Sequence, residues 1–148
     1  MGRVEKGLVM DKPIIEHRGT YKGYTFVVLF QPLGFRTGYV LVPQSHKYFE
    51  VDYDNIEVYC HGGLTYSEHR LLDREYPGWW IGYDCAHGDD KNDVEAQEKY
   101  FGSNIQDPFF NMLNFMTGNY NEGYGTVKTL DFCIEQCKNI IDQLKEVE

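Results

Sequence analysis

The sequence predicts a single α+β domain in which a mixed or antiparallel sheet packs against a long C-terminal amphipathic helix. Between residues 14 and 84, short runs of β-branched and aromatic residues are bounded by Gly and Pro, which is typical of strands and turns. From residue 93 onward the apolar spacing becomes helical. A chain of 148 residues has the usual length of one domain with one core. We therefore assign residues 13–148 to one domain and residues 1–12 to a flexible N-terminal arm.

The strand predictions follow from apolar runs in the first half of the chain. The stretch 26–30 is almost continuously apolar, which indicates a central strand covered on both faces. The turn signals at 32–35 and the apolar run at 38–42 predict that the chain returns in a hairpin. Two shorter runs, residues 57–60 and 79–84, predict strands that each lead into a loop rich in reactive side chains.

Two short helices are predicted after the strands. Asp93 is a candidate N-cap for a helix over 94–101. Asp107 and Pro108 are the N-cap and first-turn residues that favour a second helix over 109–116.

The C-terminal helix is the clearest element in the sequence. Its apolar residues recur at steps of three and four, and Thr126 or Thr129 can cap its first turn. The apolar stripe consists of Val127, Leu130, Cys133, Ile134, Cys137, Ile140, Ile141 and Leu144. We expect this stripe to pack on the sheet.

The charge balance disfavours two classes of partner. The formal net charge is −9 and the pI is about 5.0. An acidic surface repels phosphate backbones and anionic lipid headgroups, so we expect neither nucleic acid nor a membrane as the partner. The high aromatic content, with 12 Tyr and 9 Phe, favours strand packing and makes a homodimer a reasonable expectation.

The four cysteines are predicted to be free thiols in a reducing compartment. The polar start of the chain lacks the apolar run of a signal peptide, so we expect the cytoplasm. Cys133 and Cys137 are four residues apart on the predicted helix and face its core side. Buried, reduced cysteines are the interpretation that fits both observations.

The chemically reactive side chains gather in two short segments. Loop A is residues 60–67, with the sequence CHGGLTYS, and loop B is residues 84–90, with the sequence DCAHGDD. If the preceding strands are neighbours and run the same way, the two loops meet at one edge of the sheet.

One hypothesis for these loops is a divalent metal site. Its candidate ligands are His61, Asp84, His87 and Asp89, and three protein ligands with one open position form the usual catalytic pattern. Adjacent strand residues point in opposite directions, so Cys60 and His61 are poorly placed to share a structural zinc ion. The sequence establishes no cofactor, but a divalent metal ion is the one that these side chains would bind.

The leading hypothesis is the binding of a small phosphorylated or nucleotide-like ligand. An Arg in a glycine-flanked turn, free backbone N–H groups at two glycines and an aromatic surface are the features that such a ligand needs. The candidate ligand-binding residues are Arg36, His61, Gly62, Gly63, Thr65, Tyr66, Trp80, Asp84 and His87. Trp79 is a further candidate for the stacking surface.

Two other interpretations stay open. Cys85 as a nucleophile is disfavoured because its acidic neighbours raise the pKa of a thiol. In a protein–protein interaction module with a host protein as partner, His61 and His87 would instead hold the turns. Asp84, Asp89 and Asp90 would then form Asx-type turns and caps.

A set of motifs resembles a family of small proteins of unknown function that are common in bacteriophages and prophages of Gram-positive bacteria. The motifs are Gly34-x-Arg36-x-Gly38-Tyr39-Val40, residues 61–67, residues 80–89 and the Thr129-Leu130 start of the last helix. Tyr83 stands where Phe is expected, and Asp90 slightly alters the end of loop B. The resemblance implies a phage-type accessory protein in the cytoplasm of a bacterial host, and by analogy a counter-defence role that acts on nucleotide signals.

The distance between the two loop histidines decides among these hypotheses. Side-chain atoms of His61 and His87 within about 5 Å, with Asp84 beside them, would define one shared site. Side chains that point apart would leave only turn-stabilising roles.

Overall fold

The computed structural model describes residues 12–72, 76–102 and 125–148, and it confirms the α+β class. The strands are β1 (Ile14–Tyr21), β2 (Tyr24–Phe30), β3 (Arg36–Val42), β4 (Tyr66–Leu71), β5 (Tyr76–Asp84), β6 (Asp90–Lys91) and β7 (Thr126–Val127). The helices are α1 (Val94–Phe101) and α2 (Leu130–Glu146), and a 3-10 turn covers Tyr53–Asn55. Residues 1–11 of the predicted arm and the predicted helix over 109–116 lie outside the described residues.

Five strands form one antiparallel sheet in the order β1-β2-β3-β5-β4. The predicted hairpin is β2–β3, in which Phe26 pairs with Val40 and Phe30 with Arg36. Strand β2 is buried on both faces, as its continuous apolar run predicts. Strands β6 and β7 form a separate two-residue parallel pair.

Helix α2 packs across one face of the sheet. Its N-cap is Thr129, whose hydroxyl accepts from the Phe132 N–H, and Cys133 and Cys137 face the core as free thiols.

The predicted cap Asp93 likewise begins α1, accepting from the Ala96 N–H. Val127, which the sequence pattern places on the helical stripe, belongs to β7, because α2 begins only after the Thr129 cap.

The opposite face of the sheet carries a second apolar cluster. It comprises Val27, Leu29, Tyr39, Leu71 and Trp80. No helix within the described residues has both the length and the apolar character needed to cross a membrane.

The predicted strand over 57–60 is wrong. Among the described residues this segment has no strand partner, and amide side chains of α2 bind its backbone instead. Gln143 accepts from the Tyr59 N–H at 2.8 Å and donates to the Tyr59 carbonyl at 2.7 Å, and Asn139 donates to the same carbonyl at 2.9 Å. These side chains satisfy the polar groups that a sheet ladder would otherwise satisfy.

Candidate metal centre

The two loops meet, although not for the reason that the sequence suggests. Loop A leads into β4 and loop B follows β5, and β4 and β5 are antiparallel neighbours. The start of one strand and the end of the other therefore lie at the same edge of the sheet. The Thr65 N–H donates to the Gly82 carbonyl at 2.8 Å, which joins loop A to β5 at this edge.

The carboxylate of Asp90 lies at the centre of the site. The His61 Nε2 atom is 2.9 Å from Asp90 Oδ1 and 3.0 Å from Oδ2, and the His87 Nδ1 atom is 3.1 Å from Oδ2. Ligand atoms of His61, His87 and Asp90 all lie within 4.8 Å of one another. Side-chain atoms of His61 and His87 therefore lie within the separation of about 5 Å that defines one shared site.

Local backbone structure holds Asp90 in place. The His87 N–H donates to Asp90 Oδ2 at 3.0 Å, and the Asp90 N–H returns to the His87 carbonyl at 2.9 Å. Asp90 then pairs with Thr126 in the β6–β7 ladder. Two residues beyond Thr126, Lys128 places its Nζ 2.9 Å from Asp90 Oδ1.

Burial and hydrogen bonding act in opposite directions on Asp90, whose side chain is 1% exposed. Burial alone would raise the pKa of this carboxyl group, but hydrogen bonds from His61, His87 and Lys128 outweigh burial and lower its pKa to about 2. Asp90 is therefore a carboxylate at neutral pH, which is the form that binds a metal ion.

A tight turn in loop A positions His61. The Gly63 N–H donates to the Cys60 carbonyl at 2.9 Å, and Gly62 adopts a φ of +69°. A Cβ atom at Gly62 would overlap the His87 imidazole, so the absence of a side chain lets the two histidines approach. From α2, Gln136 accepts from the His61 N–H at 2.9 Å.

Asp84 borders the site from the other side of His87. Its Oδ1 atom is 3.7 Å from His87 Nε2 and accepts from the Ala86 N–H at 3.1 Å. Its Oδ2 atom accepts from the Thr65 hydroxyl at 2.9 Å. Asp84 therefore borders the His87 ring at a distance longer than a hydrogen bond, and the Thr65 hydroxyl holds the Asp84 carboxylate.

Asp89, which the sequence predicts as a metal ligand, does not belong to the cluster of ligand atoms from His61, His87 and Asp90. Asp89 is exposed, and its contribution is a backbone carbonyl that accepts from the Thr126 N–H at 3.1 Å and from Lys128 Nζ at 3.3 Å. Asp89 lies in the turn before β6, whereas Asp90 is the first residue of that strand and its carboxylate contacts both histidines. The sequence shows two adjacent aspartates at the end of loop B. Only the tertiary structure shows that Asp90 is the buried one and Asp89 the exposed one.

Arg36 does not lie in a turn and does not face a ligand. It is the first residue of β3, is 5% exposed, and stacks over the Phe30 ring. Its guanidinium donates to Glu16 at 2.6 and 3.1 Å and to Asp93 at 2.9 Å. Two carboxylates already compensate its charge, so it is not available as the predicted anion partner.

The predicted stacking residues also lie away from the histidines. Trp80 is buried in the cluster on the opposite face of the sheet, where Tyr66 packs edge-on against Tyr39 at 5.1 Å. Trp79 is buried in the main core and donates its Nε1–H to the Val51 carbonyl at 3.2 Å. These rings pack the sheet, because strand alternation directs them to its buried faces.

Neither loop cysteine has the lowered pKa that activates a catalytic nucleophile. Burial raises the pKa of Cys60 to about 11. Hydrogen bonding to Cys133 and burial raise the pKa of Cys85. Both groups are therefore thiols at neutral pH, in line with the interpretation of buried free cysteines.

The fold and site together define an α+β domain with a His-His-Asp cluster at one sheet edge. No protein-family model, curated protein or solved structure matches this chain.

Proposed function

We propose that the protein binds a divalent metal ion of the Zn²⁺ type through His61, His87 and Asp90, and that the bound ion activates water for hydrolysis. The observation that carries this proposal is the convergence of His61 Nε2 and His87 Nδ1 on one carboxylate oxygen, Asp90 Oδ2, at 3.0 and 3.1 Å. Imidazole nitrogens and a carboxylate oxygen are ligands that zinc prefers.

The spacing of these atoms suits a small cation. Zinc bonds of about 2.0–2.1 Å in a tetrahedral site separate neighbouring ligand atoms by about 3.3–3.4 Å. The separations of 3.0 and 3.1 Å at Asp90 therefore need to open by only a few tenths of an ångström. The protons that these ring nitrogens donate to Asp90 would leave when the ion binds, so metal binding would release protons.

The surrounding groups are those that orient metal ligands. Asp84 Oδ1 faces His87 Nε2, the ring nitrogen that does not point at the centre. Lys128 contacts Asp90 Oδ1, and an ion bound at Oδ2 would share that oxygen with the backbone N–H of His87. A carboxylate behind a ligating histidine fixes the tautomer and the direction of the ring.

Three protein ligands leave one position for water or substrate, which is the pattern of catalytic zinc. The side chain of His87 is 37% exposed, so this side of the site is open to a small molecule. The bound ion would lower the pKa of its water to about 7 and so supply hydroxide near neutral pH.

A phosphorylated or nucleotide-like substrate remains the class to test first. A metal ion would supply the positive charge that Arg36 does not, because phosphate oxygens coordinate divalent cations. The phage-type accessory role and a host-protein partner remain proposals about context.

Calorimetric titration of chelator-treated protein with Zn²⁺ tests the metal centre. We expect one ion per chain, with affinity at least about tenfold weaker in His61→Ala and in His87→Ala, since even the loss of a ligand-orienting residue has an effect of that size. His69→Ala is the matched control, because His69 is exposed and contacts Glu50 at 3.1 Å on a different part of the sheet. Equal affinity in all four proteins, or no binding to folded wild-type protein, contradicts the proposal.

Hydrolysis is tested separately with the Zn²⁺- and Mn²⁺-loaded protein on chromogenic phosphomonoester, phosphodiester and carboxylic ester substrates. We expect turnover of at least one class that is lost on adding chelator and in His87→Ala but kept in His69→Ala. Metal-loaded protein that hydrolyses none of them contradicts the hydrolase part and leaves metal binding standing.

A further inference from the structure

We propose that Cys85 and Cys133 are an oxidation site, forming a reversible disulfide that connects loop B to α2. Their Sγ atoms are 3.7 Å apart, and both residues are free and buried, at 3% and 0% exposure. Cys85 is two residues before the candidate ligand His87 in sequence, and the pair takes no part in the proposed hydrolysis.

The distance between the two sulfurs is short enough for a bond after a small movement. A disulfide has an S–S length of about 2.05 Å, so the two sulfurs must approach by about 1.6 Å from their separation of 3.7 Å. Neither residue is in the middle of a strand. Cys85 is the first residue after β5, and Cys133 lies in the first turns of α2.

The two cysteines belong to different elements, so the bond would be a long-range connection. They are 48 positions apart in sequence, and the chain between them contains β6, α1 and β7. The Cys85 N–H donates to the Arg36 carbonyl at 3.0 Å and the Cys133 N–H to the Thr129 carbonyl at 3.0 Å. These hydrogen bonds hold the two residues close to each other in the reduced protein.

The oxidation balances with a hydroperoxide as the co-reactant. The hydroperoxide transfers one oxygen atom to one sulfur, which becomes a sulfenic acid, and the remainder of the hydroperoxide leaves as water or an alcohol. The second sulfur then attacks the first; the S–S bond forms, the S–OH bond breaks, and the hydroxyl leaves as water with the proton of the second thiol. The two thiols lose two electrons and two protons, and the hydroperoxide is reduced.

The bond would also change the metal centre, an effect that rests on the proposed function. Cys85 is bonded directly to Asp84 and is separated from His87 only by Ala86. Formation of the bond would draw Cys85 toward α2 and so shift the Asp84 carboxylate and the His87 imidazole. We expect the oxidised form to bind Zn²⁺ at least about tenfold more weakly than the reduced form, by analogy with the loss of ligand-orienting contacts.

Peptide mapping of the full-length protein tests the disulfide directly. The folded chain is treated with hydrogen peroxide, quenched in acid, denatured with an alkylating agent and digested. We expect a peptide that joins Cys85 to Cys133, lighter by two hydrogen atoms and split by dithiothreitol. The double variant Cys60→Ser with Cys137→Ala keeps the pair and should give the same linked peptide, whereas Cys133→Ala should not.

The proposal is overturned if Cys85 and Cys133 are both alkylated in wild-type protein whose Cys60 has been oxidised, or if the link joins another pair. Mapping of the wild-type chain is sufficient to decide this, so the test holds even if a variant does not fold. Zinc titration of reduced and oxidised protein then tests the coupling, and equal affinities overturn that part. If the reduced protein binds no Zn²⁺, the metal centre fails while the peptide map still decides on the disulfide.

Discussion

At the scale of single residues, Asp90 connects the groups of the candidate site. It contacts two imidazoles, one ammonium group and one backbone N–H. These donors favour the charged form of Asp90 in the folded protein. Ionisation of Asp90 therefore contributes to the free energy of unfolding of the whole chain.

Acid should therefore destabilise the metal-free protein through Asp90. Its pKa falls from 3.8 to about 2 on folding, so the stabilisation is complete well above pH 4 and is lost as the pH falls toward 2. A shift of this size corresponds to about 2 kcal/mol. Urea denaturation at several pH values measures it. Asp90→Asn should flatten the profile in this range, while Asp89→Asn, at the exposed neighbour, should leave it as in wild type.

Gly62 and Gly63 form a matched pair for testing how loop A positions the histidines. Both adopt positive φ, +69° and +82°, but an added Cβ overlaps the His87 ring at Gly62 and meets nothing within 4 Å at Gly63. Backbone strain alone should cost about 1 kcal/mol in Gly63→Ala. Gly62→Ala should lose about 1–3 kcal/mol more, because the imidazole must move. Equal unfolding free energies for the two variants would show that the close approach to His87 does not matter.

At the scale of elements, α2 acts both as the cover of the core and as the support of loop A. Its buried stripe packs on the sheet, while Gln136, Asn139 and Gln143 bind the backbone of residues 59–61. The start of α2 therefore matters for the site as well as for the core, and Thr129 determines where the helix begins.

Thr129→Ala should destabilise the protein by about 1 kcal/mol. The hydroxyl accepts from the Phe132 N–H at 3.1 Å, and its removal leaves a first-turn donor without its cap. Thr129→Ser keeps the oxygen and is the control that should remain near wild-type stability. Thermal denaturation of the three proteins checks this, and an Ala variant as stable as the Ser variant would contradict it.

At the scale of the whole molecule, Arg36 joins parts of the chain that are far apart in sequence. Its guanidinium binds Glu16 on β1 and Asp93 at the start of α1, and it donates to the Lys128 carbonyl at 3.2 Å. Lys128 in turn contacts Asp90. This buried ion cluster connects the sheet, α1 and the candidate metal centre.

Arg36→Met should be strongly destabilising, by about 3–5 kcal/mol, because it leaves the buried carboxylate of Glu16 without its counter-charge. Lys22→Met removes an ion pair of similar length, 2.7 Å to Asp142, but both of those side chains are largely exposed. That control should be far less destabilising, because water and salt screen an exposed ion pair. Chemical denaturation compares the two, and similar losses would contradict a role for burial.

The sequence by itself determined the elements whose signals are local. The helix over 94–101 with its Asp93 cap, the Thr129 cap and core stripe of α2, and the β2–β3 hairpin each depend on residues within a few positions of one another. The placement of His61 and His87 in reactive loops could be read in the same way, because Gly and Asp mark turns.

Only the tertiary structure decided which groups share a site. Asp90 rather than Asp89 faces the histidines, and Lys128 joins them from 38 residues beyond Asp90. Arg36 is neutralised by carboxylates on other elements, and Gln143 replaces the strand partner that residues 57–60 were expected to have. The physical reason is common to all of them: burial, charge compensation and hydrogen-bond partners come from contacts between distant segments, which no local pattern records.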